Sequence, residues 1–156
     1  MTTTLRALLE QAHASWKDEL ESVLVPARRS DAGPWARWAA IRYLEQVFPA
    51  RVRWERGLVE RVSARLSDAE QTRLWALGEL LVLLPTYVGH LSGLCHRAGE
   101  FENLTDRLVL ALGGWCRAME EALGPLPVNS LSENEVAEMK KDSLRLQNGS
   151  GLAGRC

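Results

Sequence analysis

Apolar residues recur along this chain at three- and four-residue steps, the period of a helix with one buried face. Leu5, Leu8, Leu9, Ala12, Trp16, Leu20, Val23 and Leu24 form the first stripe, behind Thr4, a good N-cap. Pro26 and the polar stretch ARRSDAG are expected to end it. Pro34 suits the first turn of a second helix, where its missing N–H would be unpaired anyway. Trp35, Trp38, Ala39, Ile41, Leu44 and Val47 continue to Phe48-Pro49, where the proline disfavours helical geometry at the residue before it. From Ala50 the stripe resumes with Val52, Val59, Val62 and Leu66. Arg51/Glu55 and Arg56/Glu60 are spaced i,i+4, as salt-bridging pairs on its opposite, solvated face.

Ser67-Asp-Ala-Glu70 has the form of a capping box. The helix behind it is expected to run to about Leu84, to break or kink at Pro85, and to continue in LPTYVGHLSGLCHRAGE to Gly99, a C-terminal stop. Leu104, Leu108, Leu112, Trp115, Met119 and Leu123 make the next stripe, closed by Gly124-Pro125. Ser132-Glu-Asn-Glu135 is a second capping box, followed by only a thin stripe of Val136, Met139, Leu144 and Leu146. No strand-length alternation bounded by hairpin turns occurs. The pattern therefore predicts an all-α fold, a compact antiparallel helical bundle of four to seven helical pieces. Their number depends on whether Pro49 and Pro85 kink or cut.

Two segments, Leu77–Tyr87 and Leu104–Leu112, are apolar nearly all round. A helix without a wet face is covered on several sides, so these are expected to be the central helices. The bundle is expected to occupy residues 1–126. A linker follows at 127–131, within GPLPVNSLS, then a short C-terminal helix at 132–147 and a disordered tail at 148–156. The last helix is expected either to face a partner or to close on the bundle as a lid.

Composition narrows the function classes. The chain has 156 residues, 46% of them apolar and 25% charged, which fits one soluble domain with a real core. A formal charge of −1 gives no field that would favour nucleic acid or an anionic membrane. The apolar runs are too short to cross a bilayer, so no membrane insertion is expected. MTTTLRALLEQAHASWKDELES lacks the uninterrupted apolar core of a signal peptide, and Cys95, Cys116 and Cys156 are odd in number and scattered. A cytoplasmic or otherwise intracellular location follows as the expectation, not secretion.

The candidate chemistry centres on His90, Cys95, His96 and Glu100. His96 and Glu100 are spaced i,i+4, but Gly99 intervenes, and His90 and His96, six apart, point to different faces. His13 stands alone beside Trp16. No CxxC, HExxH, GxSxG or glycine-rich phosphate loop is present. The expectation is a chain without catalytic, cofactor-binding or metal-ligating residues, and so not an enzyme. Gly113-Gly114 lies inside a helical stripe, at a cost of about 2 kcal/mol relative to alanine, and predicts a close helix crossing. Of six tryptophans, Trp16, Trp38 and Trp115 hold stripe positions and are expected in the core. Trp35, Trp54 and Trp75 fit less well and are candidate partner-binding residues, because tryptophan buries large area at low entropy cost. Val136, Met139 and Leu144 join them if the last helix faces outward. The partner expected is another protein or a second copy of the chain, in a non-catalytic interaction or regulatory role, with no cofactor.

The order of these signals between Trp35 and Leu126 resembles the hemerythrin-like four-helix bundles. YLEQVFPARVRWERGLVERVSARLSDAEQ has their long helix, short turn and capped helix, and LVLALGGWCRAMEEALGPL looks like their closing helix. Those bundles hold a di-iron site with histidines and carboxylates. Here Arg51 and Trp115 stand in the expected histidine places, and Glu55 and Glu120 resemble the carboxylates. The resemblance implies the bundle plan rather than its chemistry, and as an alternative function a ligand- or metal-binding four-helix bundle, one form of which is a degenerate hemerythrin-like protein that has lost its metal ligands.

Overall fold

The computed structural model describes residues 3–29, 33–91 and 98–149, apart from the side chains of 88–91, 98 and 142–149. Among the described residues the fold is all-α, with helices packed against one another and no strand. The helices are α1 (Arg6–Arg28), α2 (Pro34–Arg42), α3 (Phe48–Val62), α4 (Asp68–Leu91), α5 (Ala98–Leu123) and α6 (Glu133–Gly149). α5 is the hub, packed on α1 and on α4; α3 lies against α4, and α1 also carries α2 and α6. The first stripe does become a buried face: Leu9, Ala12, Trp16, Leu20 and Leu24 are all in the core.

Three expected helix ends fall elsewhere. Thr4 does not cap α1, whose N-cap residue is Leu5; the Leu5 N–H instead donates to the Leu126 carbonyl at 2.9 Å. A second bond, from the Val128 N–H to the Thr3 carbonyl at 3.0 Å, clamps the chain start to the segment after α5. α1 also runs through Pro26 to Arg28. Loss of a single ladder bond near a helix end is tolerable when the face around it (Leu24, Ala27) is fully buried. Gly99 lies in the first turn of α5 rather than ending the helix before it.

Neither internal proline cuts its helix. Upstream of Pro49 the chain takes one π turn, Tyr43–Val47, and the Phe48 N–H donates five residues back to the Tyr43 carbonyl. Widening the ladder there lets α3 begin with Pro49 in its first turn, where a missing N–H is harmless. Pro85 is inside α4, which continues to Leu91 rather than stopping near Leu84.

Both capping boxes form. The Ser67 Oγ accepts from the Glu70 N–H (3.1 Å) while Glu70 accepts from the Ser67 N–H (2.9 Å). Ser132 and Glu135 do the same at 3.2 and 2.9 Å. The second box starts α6, which docks on α1 with Met139 buried and Val136 packed against the core. Leu131 is buried just ahead of it, and Arg61 pairs with Glu135 at 3.1 Å. The C-terminal helix thus closes on the bundle, as the lid alternative has it; residues 150–156 lie outside the described residues.

The glycine pair does not mark a close crossing. A Cβ at Gly113 would meet nothing within 4 Å, and one at Gly114 would sit 3.6 Å from Leu77, an ordinary contact. The tight place is Gly78 on α4, where a Cβ would fall 3.2 Å from Arg56 Nε and 3.3 Å from the Trp115 ring. Gly113→Ala should therefore stabilise the protein by about 0.5–1 kcal/mol, since only the unfolded chain's freedom changes. Urea denaturation would register this as a higher midpoint at unchanged slope.

The largest departure concerns α4. The expectation that Leu77–Tyr87 is covered on several sides does not hold for the single chain. α3 and α5 cover the face formed by Leu74, Gly78, Leu81 and Pro85, and the outward face of α4 stays open.

Candidate functional site

Two features are open to functional interpretation: a charged cluster inside the bundle and an apolar surface outside it. The cluster is assembled from three helices. His13 follows Ala12 on the buried stripe of α1, Glu55 lies one turn after Val52 on α3, and Trp115, Cys116 and Glu120 come from α5. His13 and Cys116 are fully buried and Glu55 nearly so. His13 Nε2 and Glu55 Oε1 are 2.5 Å apart, and the Trp115 Nε1–H points at the same oxygen from 3.4 Å. On the other side of the imidazole, Nδ1 is 3.6 Å from Glu120 Oε2, a long ion pair beyond hydrogen-bond reach.

The electrostatics are mutually reinforcing. Burial by itself pulls the His13 imidazolium down, but the Glu55 charge and the contacts with Cys116 and Glu120 outweigh it and hold His13 well above its ordinary value. Burial likewise pushes Glu55 up, and the His13 charge, with help from Arg51 and the Trp115 N–H, brings it below the usual carboxylate range. Glu120 is lowered mainly by its contact with His13, with Lys17 adding to it. At neutral pH the interior therefore holds an imidazolium between two carboxylates. Arg51, far from a solvated face, lies half-buried over the rings of Trp16 and Trp54, 5.1 Å from each centroid.

Glu55 and Glu120, the two carboxylates singled out by the hemerythrin resemblance, do meet at one level of the bundle. Their meeting point is a histidine the resemblance did not include. The arrangement does not suit a metal: the two carboxylates lie against opposite nitrogens of one ring, so the three groups cannot share an ion. Among the described residues no group of three or more His, Cys, Asp or Glu is placed to hold one. Cys116, His13 and Glu55 also follow one another as thiol, imidazole and carboxylate, but thiol and ring have no exposed surface for a substrate to approach. The geometry supports a structural charge cluster. Sequence spacing does not reveal it, because His13 and Glu55 are 42 residues apart. The available signal was Glu55 itself, which occupies a stripe position between Val52 and Leu58 rather than the wet face.

The other expected site residues are dispersed. Trp35 is 79% exposed and Trp75 64%, whereas Trp54 is half-buried beneath Arg51. Trp38 is half-exposed rather than in the core, standing edge-on to Trp35 with centroids 5.9 Å apart and with Arg42 over its ring. α2 has only nine residues and buries only Ala40, so among the described residues no other helix covers its tryptophans. Met139 and Val136 face the chain's own bundle. Cys95, His96 and the side chains of His90 and Leu144 lie outside the described residues.

The apolar surface is on α4. Tyr87 is 54% exposed, Leu83 47%, Leu80 45% and Val82 44%, and Leu110 on the neighbouring α5 reaches 76%. The charged residue between Leu74 and Tyr87 is Glu79, already paired with Arg56 at 2.9 Å. With Trp75, these side chains leave α4 and the neighbouring turn of α5 more apolar at the surface than the rest of the described chain. Among the described residues no helix is long and apolar enough to cross a membrane. No family model matches this chain, and neither the curated proteins nor the solved structures contain a match to it.

Proposed function

We propose that the protein is a non-catalytic helical interaction module, a subunit or regulatory piece of a larger assembly, and that its working surface is the open face of α4. The observation that carries this reading is a mismatch between sequence and surroundings. α4 has the composition of a helix covered on several sides, yet Leu80, Val82, Leu83 and Tyr87 face outward. A second protein surface is the ordinary remedy. Trp75 flanks the face and supplies the kind of aromatic anchor that dominates binding energy in interfaces. The sealed position of Cys116 and His13 supports the non-catalytic side of the reading.

The test is a pair of variants. Leu80→Glu/Leu83→Glu should leave the far-UV spectrum nearly unchanged and the chain folded, since both side chains are half-exposed. Proteins, or copies of the chain, that co-purify with the wild type should be lost. Retention of every associated species by a folded variant would rule the surface out.

A second reading rests on a separate observation, the convergence of Glu55, Glu120 and Trp115 on His13. It makes the protein a bundle of hemerythrin plan in which an internal ion pair stands where a metal centre would be. Equilibration with ferrous iron followed by elemental analysis tests the replacement: the wild type should take up no stoichiometric iron, and iron that disappears on Glu55→Gln would overturn it.

A further inference from the structure

We infer that the occupant of the α4 face is a second copy of this chain, packed as an antiparallel α4–α4 pair about a two-fold axis; this rests on the reading of α4 as the working surface. Three observations point to it. The first is spacing. Ala76, Leu80, Leu83 and Tyr87 are exposed on α4 and separated by four, three and four positions. That is the a/d step of a coiled-coil seam. It runs down the side of α4 away from the Leu74, Gly78, Leu81 and Pro85 face, so one helix carries two apolar faces, one for each neighbour.

The second observation is self-complementarity. In a two-fold contact, if one residue meets another, the second meets the first. Centring the axis between Leu80 and Leu83 sets Leu80 against Leu83 of the other copy, and Ala76 against Tyr87. Each pair is then an a position facing a d position, as antiparallel seams require. The small Ala76 sits opposite the large Tyr87, so the outer layers alternate in size and can interdigitate. No other offset along this seam pairs its smallest side chain with its largest.

The third observation is charge. A two-fold axis brings identical surfaces together, so an exposed charge near it meets its own kind. Along this face Glu79 is neutralised within its own chain by Arg56. Arg73, at the edge of the seam, is likewise paired with Glu121 at 2.8 Å.

Sedimentation velocity and light scattering between micromolar and submillimolar concentration test the proposal. The wild type should have twice the 17.4 kDa chain mass, Leu80→Glu/Leu83→Glu should have the mass of one chain, and Trp35→Ser should stay dimeric. A cross-linking experiment reads the register without disturbing the seam centre. In a background of Cys95→Ser and Cys156→Ser, chains carrying Ala76→Cys and chains carrying Tyr87→Cys should form a disulfide when mixed and not when kept apart. A wild type of single-chain mass throughout, or a glutamate variant that stays dimeric, would overturn the proposal. So would a disulfide between two Ala76→Cys chains, which requires a different packing. A monomeric wild type whose glutamate variant still loses a different co-purifying protein leaves α4 as an interaction face and removes only the second copy. If that variant loses nothing, both readings fall.

Discussion

Glu55→Ala is expected to cost the fold about 3–5 kcal/mol, the usual penalty for removing one partner of a buried pair and leaving the other charge uncompensated. Against a total stability of roughly 5–15 kcal/mol, that brings the protein close to unfolding at ambient temperature. The pair need not be stabilising relative to an apolar core. His13→Leu/Glu55→Leu, which removes both charges, should recover most of the loss or exceed the wild type, because two desolvation penalties vanish together. Urea titrations of the two singles and the double would close the cycle. A double variant no better than the sum of the singles would show that His13 and Glu55 do not act on each other.

The same cluster sets a pH profile. His13 is held above its ordinary 6.5, so its contribution is complete below that value and is lost as pH rises through the higher folded value. Glu55 and Glu120 are held below 4.5, so theirs is complete above that value and is lost as pH falls through the lower folded values. Stability should peak between 4.5 and 6.5 and decline on both sides. In Glu55→Gln the largest upward influence on His13 is gone while its burial remains, so the alkaline decline should flatten. Melting temperatures measured from below 4.5 to well above 6.5 decide it, and an unaltered alkaline slope would contradict the assignment.

Met139→Ala is expected to cost about 2–3 kcal/mol, within the range for truncating a buried methionine. Met139 sits where α6 meets α1, buried with Leu131. Were α6 held away from the bundle, awaiting another surface, the same change would be worth less than about 0.5 kcal/mol, as at ordinary exposed positions. Chemical denaturation distinguishes the two values. Truncation after Val128 should agree with it: without Leu131, Val136 and Met139 the bare flank of α1 lowers the melting temperature.

How much of this was legible in the chain depends on the range of the interaction. Local rules carried far. The three-and-four spacing of apolar residues is the geometry of a helix face, so the all-α class follows from order alone. Both capping boxes, which involve atoms only three residues apart, form as the spelling Ser-x-x-Glu says. The prolines were harder to read. A ring that removes one hydrogen bond can be absorbed by a π turn, as before Pro49, or carried inside a helix with one buried face, as at Pro26 and Pro85. Which of these happens depends on what the neighbouring helices contribute.

Pairings across helices were decided only by the tertiary structure. Glu55 has an arginine four residues before it and an arginine next to it, which reads as a solvated salt-bridging face, although its three-residue step from Val52 is that of the buried stripe. Rotation of α3 against α1 and α5 turns it instead toward His13 and Trp115, where burial and a single oxygen shared by two donors define its chemistry. Trp38 and Gly78 make the same point in opposite directions. The first keeps the stripe spacing of a core residue but lies on the side of α2 turned away from the bundle. The second gives no local signal, yet a Cβ there would crowd Arg56 and Trp115. Composition could say that α4 is apolar on every side, because that is a property of one segment. Which sides its own chain covers, and which it leaves for another, depends on the packing of residues far apart in sequence, and only the folded bundle sets that.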